Sequence, residues 1–165
     1  MVENIAKLIK TQMAQRGSRV TLSYKNDETG KYIGIGSDSF LFQTNKISNA
    51  LLSLGYGPEE KIGIFSDNTP KWLLCDMGIL SVRAISIPFF ANASKQQLQY
   101  MLNETEMSLL FVGNSDQLEK AKWLLENCPS LKNIVVMEEI PENHNSKIWN
   151  WNSFLELGNN MDNTA

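Results

Sequence analysis

Apolar residues at Ile5, Leu8, Ile9 and Met13 recur at helical spacing, which predicts an amphipathic helix over Val2 to Gln15, stopped by Gly17. Two short alternating runs, Arg19 to Tyr24 and Lys31 to Ile35, flank the turn-rich Asn26-Asp27-Glu28-Thr29-Gly30 and read as a hairpin. A longer helical stripe follows in Phe40, Ile47, Ala50, Leu51 and Leu54, with Ser37 or Asp38 as its cap and Gly55 as its left-handed end. Beyond it the pattern changes to short, nearly continuous apolar runs. These are Lys61 to Ser66, Ala84 to Phe89, Ser108 to Val112 and Asn133 to Met137.

Helical stretches separate those runs. Asn68 or Thr69 caps the first, which has Pro70 in its opening turn and carries Trp72, Leu73, Asp76, Met77, Ile79 and Leu80. Ser94 and Gln97 make a capping box for a helix through Leu102, and Asp116 to Glu126 forms another. The strand centres fall about 23–25 residues apart, the spacing of βαβ units with a parallel sheet covered on both faces. The fold class is therefore α/β: a parallel sheet flanked by helices, with a short β-hairpin near the N-terminus. Pro141 to Lys147 reads as a polar linker, Trp149 to Leu157 as a last short helix, and Gly158 to Ala165 as a loose tail.

The length of 165 residues suits one domain, and 42% hydrophobic residues suffice for a core without metal or disulfide staples. Fifteen basic against eighteen acidic residues leave no basic excess, which argues against nucleic-acid binding. The first residues show no signal-peptide pattern, and Arg83 and Pro88 interrupt the most apolar stretch, Ile79 to Ala93. Cys75 and Cys128 lie far apart without CxxC spacing and read as two free thiols in a reducing compartment, with a single disulfide as the alternative. The chain is expected in the cytoplasm, with peripheral contact to the inner face of the membrane left open, since Lys7, Lys10 and Arg16 give the first helix a basic side.

Open α/β sheets bind ligands beyond the carboxyl ends of their strands. Those ends are Ser66-Asp67-Asn68, Pro88-Phe89-Phe90 and Gly113-Asn114-Ser115. Ser66 and Asn68 could meet an anion, but capping the next helix explains them as well. Gly34 and Gly36 lack the third glycine of a dinucleotide loop, and no Gly-Lys-Ser/Thr phosphate loop exists, so they read as a strand end. His144 is the single histidine, in a polar linker without an orienting partner. Cys75 reads as a small core residue, Asp76 as a hydrogen-bond partner from helix to loop, and Trp72, Trp123, Trp149 and Trp151 as packing. No His, Cys or carboxylate cluster marks a metal site. These residues present a scaffold with no catalytic, cofactor-binding or metal-binding residue among them.

From Phe40 onward the sequence resembles the N-terminal part of AMP-forming acyl-adenylating enzymes, the long-chain fatty-acyl-CoA synthetases in particular. Asn49-Ala-Leu-Leu-x-Leu-Gly55 begins the resemblance, and Lys61-Ile-Gly-Ile-Phe-Ser66-x-Asn68-x-Pro70-x-Trp72 carries it on. Asp76-x-Gly78-Ile-Leu-x-x-x-Ala84-Ile-Ser-Ile-Pro88, Tyr100-Met-Leu-Asn103, Leu110-Phe-Val-Gly113 and Ile134-Val-Val-Met137 follow in order. Arg83 stands where the family often has glycine.

The resemblance implies an intact enzyme that uses ATP and Mg²⁺ to form an acyl-adenylate and then passes the acyl group to CoA. The family's phosphate loop, adenine contacts, magnesium-binding pair and catalytic lysine all belong to segments with no counterpart here. Residues 1–157 would then form an N-terminal subdomain, inactive alone, whose main partner is the remainder of the same polypeptide. Fatty acid and CoA would be substrates of the whole, and the uncovered edge and apolar surface of the piece imply self-association. A free-standing, non-catalytic α/β binding or interaction module is the competing reading.

Overall fold

In the computed structural model residues 4–141 and 145–160 are described. Helix α1 (Ile5–Arg16) precedes the antiparallel hairpin of β1 (Val20–Lys25) and β2 (Tyr32–Gly36), and α2 (Ser37–Ser53) follows. Then come β3 (Lys61–Phe65), α3 (Pro70–Ser81), β4 (Ile85–Phe89), α4 (Lys95–Thr105), β5 (Leu109–Val112), α5 (Ser115–Asn127), β6 (Asn133–Val136), β7 (Ile148–Asn150) and α6 (Trp151–Glu156). Strands β3 to β7 form one parallel sheet in the order β4-β3-β5-β6-β7.

Because successive strand side chains point to opposite faces, each inner strand feeds two cores. Ile62 and Ile64, Leu109 and Phe111, and Val135 join the core built with α1, α2, α3 and α6. Phe65, Leu110 and Val112, and Ile134 and Val136 join the other, against α4 and α5. Burial on both sides is the reason these strands read as continuous apolar runs.

The predicted ends of helices are mostly met. Thr69 caps α3, with Pro70 in the first turn, and Ser94 and Gln97 form a reciprocal capping box on α4. Gly55, at φ 84°, closes α2 through hydrogen bonds from the Gly55 and Tyr56 amides to the carbonyls of Leu52 and Leu51. The same pair of bonds closes α3, from Arg83 to Leu80 and from Ala84 to Ile79, but the left-handed residue there is Arg83, at φ 63°.

Four expectations need correction. Neither Ser37 nor Asp38 caps α2: the helix starts from Gly36, and the Ser37 hydroxyl donates instead to the Arg19 carbonyl. Ile5 and Leu8 stay exposed, because α1 turns Ala6, Ile9 and Met13 toward the core. The segment expected to be helical from Trp149 begins as strand β7, a three-residue piece too short to show a period, and α6 starts only at Trp151. Gly158 belongs to a 3-10 turn (Leu157–Asn160) packed on α2 rather than to a loose tail. There the Ser53 hydroxyl donates to the Leu157 carbonyl, and a Cβ on Gly158 would sit 2.7 Å from the Lys46 oxygen.

Candidate functional site: the carboxyl edge of the sheet

The strand order reverses between β3 and β5, so their carboxyl ends define the switch point where doubly wound sheets hold ligands. Ser66 and Gly113 meet there. The space between them is filled by Gln117, whose amide oxygen accepts from the Gly113 amide at 3.0 Å and whose amide nitrogen donates to the Ala91 carbonyl at 3.3 Å. Gln117 is only 4% exposed, and a Cβ on Gly113 would lie 2.5 Å from the Ser66 oxygen and 2.6 Å from the Gln117 oxygen. Lys120, one turn further along α5, donates to the Ala93 carbonyl at 2.9 Å and lies over the Phe65 ring. Together Gln117 and Lys120 tie down the loop after β4. Gln117 therefore packs between the ends of β3 and β5, with open space on either side of it.

Neither Ser66 nor Asn68 caps α3. The Ser66 hydroxyl donates to the Asp67 carbonyl at 2.9 Å, Asn68 is exposed, and Thr69 takes the cap. Asn114 caps α5 by accepting from the Gln117 amide. Gly34 and Gly36 lie in β2, where a Cβ would meet Val20 and the Ser18 carbonyl, so their role is close packing. Cys75 is fully buried, and burial holds its thiol well above the ordinary value despite nearby Lys71; Cys128 is also buried and raised. Asp76 is half-buried and, among the described residues, hydrogen-bonds to no loop, contrary to expectation. His144 lies outside the described residues.

The tryptophans pack as expected. Trp72 and Trp151 lie against the first core and Trp123 against the second, while the Trp149 ring N–H donates to Asn133 at 3.4 Å.

Two clefts open along the carboxyl edge. One, of about 420 Å³, lies at the ends of β3 and β4 beside Trp72, Phe89 and the 86%-exposed Phe90. The other, of about 510 Å³, lies between the hairpin, the start of α3 and the end of β6, with Lys71 and Glu138 on its walls. The Lys71 ammonium donates to the Met137 carbonyl and sits 5.0 Å from the Trp151 ring centre. Burial pushes its pKa below the ordinary lysine value, opposed by Cys75, Glu139 and Glu138. The Glu138 carboxylate accepts from the Ser115 amide at 3.2 Å, at the start of α5. Lys71, Gln117 and Lys120 gave no motif in the sequence; only their shared edge brings them out.

This arrangement can be set beside known proteins. The sequence profile of AMP-binding enzymes matches residues 9–160, nearly the whole chain. The chain belongs to the AMP-binding enzyme family. Human long-chain-fatty-acid–CoA ligase 1 is 36% identical over 99 residues, covering 56% of this chain and 14% of that protein. Human long-chain-fatty-acid–CoA ligase ACSBG2 aligns over 97% of the chain and 24% of its own length at 21% identity. Fatty acyl-CoA synthetase A of Dictyostelium discoideum aligns over 78% and 20% at 28% identity.

The anthranilate CoA ligase AuaEII, solved with anthranoyl-AMP, superposes with a TM-score of 0.81 at 20% identity, over 98% of this chain and 29% of that one. The A domain of carboxylic acid reductase from Segniliparus rugosus gives 0.80 at 14%, over 97% and 31%. The fold is thus that of the acyl-adenylate-forming ligases, and the chain spans at most about a quarter of the curated relatives it matches.

Proposed function

We propose that this chain is an N-terminal subdomain of a long-chain fatty-acid–CoA ligase. The observation that carries the reading is the match to long-chain ligases over most of the chain, joined to the shared fold. The whole enzyme would use ATP and Mg²⁺ to convert a fatty acid to its acyl-adenylate and pyrophosphate, then transfer the acyl group to CoA with release of AMP. That chemistry depends on neutralising phosphate charge and aligning the carboxylate for attack.

The residues here do not fit a magnesium site. Among the described residues no group of three His, Cys, Asp or Glu could hold a metal ion. The contribution of the subdomain is a rigid wall: the sheet fixes its carboxyl edge, and Gln117 and Lys120 hold the loop after β4 against it. Purified alone, the 165-residue chain is expected to show no fatty-acid-dependent exchange of pyrophosphate into ATP, and robust exchange would overturn the assignment of scaffold.

The same reading places the chain in the cytoplasm, with contact to the inner membrane face a matter for vesicle flotation. The uncovered β4 edge, with Ile85 and Phe90 exposed, favours concentration-dependent self-association of the isolated chain. An elution volume that stays monomeric through a wide dilution series would contradict that.

A further inference from the structure

We propose that the cleft at the carboxyl ends of β3 and β4 binds a small organic cation with a methylated ammonium head, held between Trp72, Phe90 and Asp67. The inference stands on the chemistry of the cleft and does not rest on the ligase reading. At about 420 Å³ the cleft falls within the range of small-molecule sites. Asp67 is the one charged residue on its lining, and among the described residues the Asp67 carboxylate has no ion pair or hydrogen bond. The Phe89 ring is taken up by Phe65 in the second core, at 6.5 Å between ring centres. Trp72 and Phe90 therefore supply the aromatic walls.

Phe90 is 86% exposed, yet its backbone is pinned. Its carbonyl accepts from the Ala93 amide at 2.9 Å, while Gln117 and Lys120 hold the carbonyls of Ala91 and Ala93. A ring presented to water on a fixed backbone is preorganised, so a ligand that covers it has little ordering left to do. The face of an aromatic ring attracts a cation within about 6 Å of its centre. This chain already uses that attraction internally: Lys46, Lys71, Lys95 and Lys120 sit 5.1, 5.0, 5.7 and 5.6 Å from the ring centres of Phe42, Trp151, Trp123 and Phe65. Among the described residues no lysine or arginine does the same for Trp72 or Phe90. A methylated ammonium is bulky and weakly hydrated, so it exchanges water for ring faces at small cost. The Asp67 carboxylate favours its charge over a neutral or anionic ligand.

The test is titration of the 165-residue chain with choline and, separately, with dimethylbutanol, the neutral isostere in which carbon replaces the nitrogen. Binding is followed by the indole N–H signal of Trp72 in NMR spectra. A saturable shift is expected, with dimethylbutanol weaker than choline by about threefold or more. Phe90→Leu and Asp67→Asn should each weaken choline by about threefold, and both exposed substitutions should leave the thermal midpoint in place. Phe90→Tyr keeps the ring and should bind choline as before. Equal affinity for the two ligands, unchanged choline affinity in Phe90→Leu or in Asp67→Asn, or no saturable shift would overturn the proposal. So would flotation of the chain on phosphatidylcholine vesicles that Phe90→Leu abolishes, since the cleft would then belong to a lipid headgroup and not to a free cation.

Discussion

Arg83 offers a sharp test of the reasoning from backbone to stability. It occupies the left-handed position after α3, at φ 63°, in the same hydrogen-bonded closure that Gly55 completes after α2. A side chain in that conformation brings Cβ too close to the following carbonyl, at a cost of about 1–2 kcal/mol. Arg83→Gly removes the clash but gives the unfolded chain more freedom, which takes back about 0.5–1 kcal/mol. The net expectation is a gain of about 0.5–1 kcal/mol, a rise of about 1–4 °C in the thermal midpoint for a chain of this size.

The Arg83 side chain is exposed and, among the described residues, makes no hydrogen bond or ion pair, so nothing else is lost. Arg83→Ala keeps the strained backbone while removing the side chain, and should change stability by less than about 0.5 kcal/mol. Arg83→Asn should fall between the two. Thermal and urea unfolding of the three variants would decide the matter. The reasoning is refuted if glycine fails to stabilise, or if alanine stabilises as much as glycine, since the benefit would then come from the lost guanidinium.

Further tests probe the edge and the core. Gly113→Ala should cost about 1–3 kcal/mol in urea unfolding, because the new Cβ would press on Ser66 and Gln117 where β3 and β5 end. Tyr56→Phe should cost about 1–2 kcal/mol, since the phenol accepts from Asn133 at 2.8 Å and donates to the Ser108 carbonyl at 3.3 Å. Asn133→Ala should cost at least as much, since Asn133 also accepts from the Trp149 ring N–H, and the double variant should lose less than the two single losses added, because the Tyr56–Asn133 bond is shared. Both thiols should resist alkylation of the folded chain at neutral pH, where burial keeps them protonated, and should react on unfolding. Rapid modification without unfolding would contradict their placement.

Much of this fold was legible because the inner strands are buried on both faces, and so stand out as apolar runs between capped helices. The Ser94–Gln97 box and the Thr69–Pro70 start follow from local chemistry, which sequence preserves. Strand β7 escaped notice because three residues carry no period, and its pairing depends on Ile134, Val135 and Val136 in another segment. On α1 the apolar positions were visible, but the side facing the core was not: a surface helix with Ile5 and Leu8 exposed reads like a more deeply buried one. The edge itself was predictable from strand direction. Its contents were not, since Gln117 and Lys71 are ordinary helix residues until folding brings them to Gly113 and Met137.

The most direct test of the ligase assignment is palmitate-dependent exchange of labelled pyrophosphate into ATP, measured on the polypeptide encoded by the full natural reading frame that contains Met1 to Ala165. The account predicts a frame that runs on past Ala165 and a product that catalyses exchange only when both fatty acid and Mg²⁺ are present. A frame that stops at Ala165, or a longer product with no fatty-acid-dependent exchange, would contradict it.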